Sequence, residues 1–350
     1  MYTIGVSKKT DNPNTAAQQL IELANYYPSP HNGQPIELAM DGNKLEVFFV
    51  RERGLKSADV SYTFSFTSMG IFIEHLRLCA QALGHTISVD LELPDVSALK
   101  GSGSVIFAKC SISWNSQQPD TELQKAIHFR QTSRKKYTKG LDDTTIDDML
   151  KLTKNHHMKL VPLSPEASRK TVWLNQRAVF DDMFDTSVRQ ELAHWLRYTE
   201  NQKNETQDGL SYDCMELNGK LLEFTVKHYK ILHMPVLSWL LKQYYMHTMK
   251  DSSSVFYMLS PFADEHDAYK VGETIMQLWM GLSKAGYYIH PFGTIMSNPQ
   301  AHADFMKLVG ITNESVDNSY LTFIFRAGES PQPARSLRIP PAKHLMKETT

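Results

Sequence analysis

The chain has 350 residues, enough to bury a large core and to hold two domains or one doubled domain. Hydrophobic residues make up 41% and charged residues 21%, which excludes a disordered or low-complexity protein. Its 37 basic and 38 acidic residues leave a net charge of −1, so nucleic acid and anionic membrane are excluded as general electrostatic partners, though a local basic patch is not.

The opening MYTIGVSKKTDNP has no apolar signal core, and the greasiest window, 231–246, is interrupted by His233, Pro235 and Lys242. Neither a secretion signal nor a spanning helix is expected. Cys79, Cys110 and Cys214 are far apart with no CxxC, so neither a disulfide framework nor a zinc site is encoded, and a reducing cytoplasm fits best. The pairs His156–His157 and His228–His233 lack helical ligand spacing with an acidic or cysteine partner, and no metal is expected.

Helical character runs from Thr15 to Tyr26 with Asn14 as the expected N-cap. It leads into Pro28–Pro35, PSPHNGQP, where three prolines, a glycine and the polar set Ser29, His31, Asn32 and Gln34 suit an ordered turn with amides free to donate. An ordinary helix-to-strand loop has the same composition. A hairpin follows, IELAM and LEVFF around Asp41-Gly42-Asn43.

Gly70–Gly84 (GIFIEHLRLCAQALG) lies over Gly272–Gly286 (GETIMQLWMGLSKAG), each running glycine to glycine across fourteen steps. Ile73, Leu76 and Leu83 face Ile275, Leu278 and Ala285, and each closing glycine suits a left-handed C-cap. A strand follows each helix, Val105–Ile112 and Leu321–Arg326, which favours an internal repeat over two core helices that merely look alike. The second half opens with helices at Thr121–Phe129 and Thr145–Thr153, then the strand MKLVPL from Met158. A helical insertion with Trp173, Trp195, Tyr198 and Trp239 spans 165–251, and its polar middle, Glu200–Gly209, reads as a mobile connection, either a lid or a plain surface loop.

Arg130-Gln-Thr-Ser-Arg134 sits at a helix end beside Lys135, Lys136 and Lys139. Guanidinium forks and a threonine hydroxyl suit a phosphomonoester, while a solvated basic face would have the same residues. Arg335 and Arg338 in PARSLRIPP form a second basic group, able to close on the same anion or to serve as a soluble tail.

PSPHNGQP resembles the P-S-x-x-N-x-Q-P loop of the FMN-dependent nitroreductase superfamily, and Arg130–Arg134 is similar to its R-x-S-x-R/K phosphate motif. The glycine-bounded helices, Asp208-Gly209-Leu210 and the ending RAGESPQPARSLRIPP resemble the long single-chain branch of that superfamily. The resemblance implies an α+β fold of two pseudo-repeated halves, 1–118 and 119–350, each with a small mainly antiparallel sheet and packed helices, plus the insertion. Ordinary members are homodimers with FMN between subunits, one giving the arginine motif and the other the asparagine loop. Here each motif occurs in one half only, so the resemblance implies one FMN per chain between the halves, in a monomer that mimics a dimer.

By the same resemblance, Arg130 and Thr132 would hold the FMN phosphate with Arg338 and Arg335, and Arg134 would tune the flavin from its N1–C2=O edge. Ser29 and Asn32 would bond the ring edge within the loop that Gln34 completes, with Pro28 and Pro30 packed beside the ring. The implied activity is hydride transfer from NAD(P)H through FMN to a nitroaromatic, quinone or similar small-molecule acceptor, with no protein nucleophile. A flavin-sequestering protein with a covered ring uses the same residues, and a flavin-free interaction protein would keep the fold alone. No GxGxxG opening a βαβ unit, P-loop, GxSxG or HExxH offers a rival chemistry.

Overall fold

In the computed structural model, residues 13–341 are described except 116, 250–252, 263 and 312–318. The chain runs α1 (Pro13–Ala24), β1 (Ile36–Asp41), β2 (Lys44–Val50), α2 (Thr63–Ala82), β3 (Thr86–Leu91) and β4 (Ser104–Ser113). It continues through α3 (Thr121–Phe129), α4 (Asp143–Asn155) and β5 (Lys159–Pro162). Then come α5 (Pro165–Asp182), α6 (Thr186–Trp195), β6 (Leu196–Arg197), α7 (Glu200–Thr206), β7 (Leu210–Ser211), α8 (Gly219–Lys227) and α9 (Pro235–Met249). The last elements are β8 (Ser254–Pro261), α10 (Glu265–Lys284), β9 (Tyr288–Pro291), α11 (Gly293–Ser297), α12 (Pro299–Leu308) and β10 (Ser319–Gly328). The first helix starts at Pro13, so Asn14 lies inside it and is not its cap; a proline is well placed at a helix start, where its missing N–H is not needed.

Eight of the ten described strands form two antiparallel sheets of the same design, β6 and β7 pair in parallel, and the class is α+β. One has the order β1-β2-β4-β3 and the other β5-β8-β10-β9, with α2 and α10 each entering between the second and third strand of its set. The tight link Gly42-Asn43 between β1 and β2 is replaced, between β5 and β8, by α5–α9. Most of the insertion helices pack into a small core of their own around Met183, Leu196, Leu210, Val226 and Leu232.

The two central helices are apolar on most faces, as expected of helices with no solvent side. Asp59 accepts from the Phe64 and Ser65 N–H groups to cap α2, and Asp264 accepts from Asp267 N–H to cap α10. The helices cross where neither has a side chain: a Cβ on Gly70 would lie 1.9 Å from Tyr269 O, and one on Gly272 would lie 2.1 Å from Thr67 O. Tyr269 stands three residues before Gly272 and Thr67 three before Gly70, so the contact is reciprocal, as across a two-fold axis. Both helices end at the expected glycines, Gly84 and Gly286, in left-handed conformation at φ 81° and 84°.

Because the crossing is backbone on backbone, Gly272→Ala should destabilise the chain by about 2 kcal/mol through overpacking. Gly281→Ala, in the same helix with nothing within 4 Å, should be neutral or slightly stabilising. Thermal denaturation of the two variants checks this, and equal effects would contradict the crossing.

Candidate functional site

After α1 the chain turns sharply. Pro30–Asn32 form one 3₁₀ turn, and His31, Asn32 and Gln34 take left-handed φ values of 49°, 53° and 52°. Such conformations cost on the order of 1–3 kcal/mol each for residues with a Cβ, so they persist only where the surroundings hold them. Asn32 N–H donates to Ser29 O (3.0 Å), Gly33 N–H to Pro30 O (2.9 Å) and Gln34 N–H to the Ser29 hydroxyl (3.0 Å). Arg53 Nε fastens the bend from outside by donating to Gly33 O at 2.6 Å.

The side-chain amides of this turn are engaged, not free as the sequence suggested. Asn32 Nδ2 donates to Gly209 O (3.1 Å) and Leu337 O (3.0 Å), and Gly209 N–H donates back to Asn32 O (3.1 Å). Gln34 Nε2 donates to Gln207 O (3.0 Å), while its Oε1 accepts from Ile339 N–H (2.9 Å). Both residues are buried, and a buried amide must find partners. They therefore staple the turn to the insertion and to the C-terminal segment. Asn32 Oδ1 alone of that side chain's polar atoms stays buried without a partner.

The stretch 200–209, expected to be mobile, is instead α7 and a tied-down turn. Thr199 and Gln202 form a capping box at its start, which overrides the polar composition that had suggested a loop. Asp208 then joins Arg53 (2.6 Å) and Arg197. Burial alone would raise the Asp208 carboxyl, and the two guanidiniums outweigh it and hold it below its ordinary value. On α6, Glu191 accepts from the N–H groups of Lys56, Ser57 (3.0 Å) and Ala58 (2.9 Å), a second clamp between insertion and first half.

At the end of α3 the arginine motif leaves the helix and runs beside β9, with Thr132 bridging Ile289 and Ser133 N–H donating to Ile289 O (3.0 Å). Arg130 is thereby buried. Its Nη2 donates to Tyr26 O (2.8 Å), its plane covers Trp279 at 4.8 Å, and its Nε has no partner. Arg335 donates to His128 O and lies 5.4 Å over the Tyr26 ring; Arg338 lies 5.9 Å from the Tyr27 ring, with its Nη1 buried and unpartnered. Three guanidiniums from two distant segments thus converge on Tyr26–Tyr27, directly ahead of Pro28, Ser29 and Pro30. Arg134 points elsewhere, donating to Cys214 O (3.2 Å) in the insertion, and Thr132 is half-buried in its bridge.

None of Arg130, Arg335 and Arg338 pairs with a carboxylate among the described residues. Burial, then the charges of Arg338 and Arg335, pull Arg130 well below its ordinary value. Burial and Arg335 likewise push Arg338 down to about 10, against the opposing pull of Tyr27. Guanidiniums remain protonated regardless, so the stress is held as repulsion that an oxyanion would relieve. Nearby, burial and then Arg130 hold His75 neutral, down to about 3, with its Nε2 3.3 Å from Leu23 O. His31 is down to about 4, from burial first and partly from Arg134, and its Nδ1 is orphaned.

Tyr26, Tyr27, Trp279, Arg53 and Arg197 are the site's contributors that sequence reasoning missed. The only signal for the tyrosines was their place before the proline turn. Arg53 and Arg197 carry none, because their roles depend on Asp208 far along the chain.

No family model matches the chain. A probable NAD(P)H nitroreductase of Serratia sp., PigM, is 25% identical over 317 residues, 85% of this chain and 86% of that protein. The FMN-dependent nitroreductase NfnB of Mycobacterium smegmatis, solved with NADPH, overlays with a TM-score of 0.41 at 12% identity, over 65% of this chain and 98% of its own. A nitroreductase-like protein of Bacillus cereus gives 0.35 at 12%, over 67% and 100%. Over most of its length this α+β chain is thus similar to a probable NAD(P)H nitroreductase.

Asp208→Asn should lose about 3 kcal/mol of stability near neutral pH by leaving Arg197 and Arg53 without their charge partner. A carboxyl held below its ordinary value contributes stability above its unfolded pKa and loses it as pH falls through the native one. The deficit should therefore shrink in denaturant titrations as pH falls below the ordinary aspartate range, and a deficit constant with pH would contradict the ion-pair role.

Proposed function

We propose that the protein is an FMN-dependent NAD(P)H oxidoreductase, with one FMN held between its two halves and a small molecule as electron acceptor. The observation that carries this reading is the trio of buried Arg130, partly buried Arg338 and exposed Arg335, without carboxylate partners among the described residues, and with Arg130 Nε and Arg338 Nη1 unbonded. Those two orphan donors suit a phosphate, and the orphan Asn32 Oδ1 in the adjoining turn suits an N–H donor on a flavin ring edge. The similarity to a probable NAD(P)H nitroreductase supports the same assignment. Bound FMN would supply two-electron transfer between reductant and acceptor.

In this reading the chain's own residues bind and orient. Arg130, Arg335 and Arg338 neutralise the phosphate, with Thr132 beside them. Pro28, Ser29 and Pro30 shape the wall of the ring site, and the strained turn fixes Asn32. Gln34 holds that turn through the contacts of its amide. Arg134, which donates to Cys214 O (3.2 Å), would supply the cation that tunes the flavin. The two sheets of one design support a doubled body, halves 1–118 and 119–350, that keeps one composite site and acts as a monomer.

A second reading is favoured by one observation: residues 207–209 and 337–339 cover the turn by bonding both of its amides. A ring covered this way would be sequestered, not turned over. Anaerobic addition of NADPH or NADH separates the two. Bleaching of the flavin absorbance is the expected result, and reduction by dithionite alone would favour sequestration.

Arg130→Ala should weaken FMN binding by roughly 2–4 kcal/mol, as for one partner of a desolvated charge pair. Asn32→Ala should weaken it less and change the rate of flavin reduction instead. Fluorescence titration and stopped-flow absorbance read these out, and full FMN affinity in both variants would overturn the assignment.

A further inference from the structure

The near-zero net charge of the chain conceals one segment of different character. From 219 to 249 there are four lysines, Lys220, Lys227, Lys230 and Lys242, against the single acid Glu223. The same segment carries most of the exposed large apolar side chains among the described residues: Leu221, Phe224, Met234, Val236, Trp239, Leu240 and Tyr244. Monomeric soluble proteins rarely gather such residues in one place unless something covers them.

The pattern is helical and one-sided. On α8, Leu221 and Phe224 are spaced i, i+3; on α9, Val236, Trp239, Leu240 and Tyr244 follow i, i+3, i+4, i+8. The opposite side of these helices, with Val226, Leu232 and the partly buried Leu222 and Leu241, packs into the insertion's own core. The outward stripe is therefore surplus to folding: Val236 is 73% and Trp239 58% exposed. Lys220, Lys227 and Lys230 are exposed beside it, and of these only Lys227 has an ion-pair partner, Glu223 at 2.7 Å.

We propose that the outer stripe of α8 and α9 docks on an anionic lipid bilayer, lying in its interface. An apolar face with an aromatic anchor and flanking lysines is the chemistry of a helix that rests on such a surface. At 15 residues α9 is too short to span, and among the described residues no helix is long and apolar enough to cross a membrane. A second copy of the chain is the competing occupant. A two-fold contact through this face would set its lysine rim against the same rim, whereas anionic headgroups complement it.

The test is co-sedimentation of the full-length protein with phosphatidylcholine vesicles, with and without phosphatidylglycerol, at low and high salt. The protein should pellet with the anionic vesicles only, and salt should release it. Trp239→Glu should abolish pelleting, and Lys220→Glu and Lys230→Glu should each lower partitioning by roughly fivefold or more. These positions are exposed, and unchanged circular dichroism and melting will show that the variants are folded. Three results would overturn the proposal: no pelleting with anionic vesicles, equal pelleting with neutral ones, or self-association in sedimentation velocity that Trp239→Glu removes without any vesicle binding.

Discussion

Three like charges held together without a counter-charge among the described residues are the constraint on which the rest of the site depends. The guanidiniums repel one another, Arg335 and Arg338 both pulling Arg130 down after burial. The fold offsets part of that with neutral partners: the carbonyls of Tyr26 and His128, and the faces of Tyr26, Tyr27 and Trp279. Carbonyls and rings attract a cation without cancelling its charge. The residual positive potential distinguishes this part of the chain from a structural ion-pair network and is what the proposed anion site rests on.

Bringing those charges together needs a scaffold that does not yield, and the crossing of α2 and α10 supplies it. With Gly70 and Gly272 at the contact, backbone touches backbone and the sheets on either side are fixed relative to one another. Trp279 on α10 then stands under Arg130, while His75 on α2 ties to the last turn of α1. The insertion closes the remaining side through Asp208 and Glu191, and the C-terminal segment through Leu337 and Ile339. Segments separated by some three hundred residues in sequence meet within one hydrogen-bonded turn.

Much of this was readable in the sequence where a residue type has few alternative uses. Glycines at the same spacing marked the two paired helices and their C-caps, while the close approach at Gly70 and Gly272 was seen only in the structure. Prolines and short amides marked the turn, and Arg130, Arg335 and Arg338 were named as one cationic group before the structure brought them around Tyr26 and Tyr27. The partners of Asn32 and Gln34 were not readable, since they are backbone carbonyls and N–H groups, which every residue owns. Helix α7 was missed because its polar composition outweighed Thr199 and Gln202, a capping pair that was present in the string. The cationic, apolar stripe of α8 and α9 was seen only as a greasy window; its exposure depends on which face the insertion's core takes.

The direct test of the central claim compares two ligands that differ only in the phosphate. If Arg130, Arg335 and Arg338 form an oxyanion site, the apoprotein should bind FMN at least a hundredfold more tightly than riboflavin in calorimetric titration, roughly 3 kcal/mol or more. Equal affinity for the two would mean that the arginines do not meet the phosphate, and the account of the site would fail.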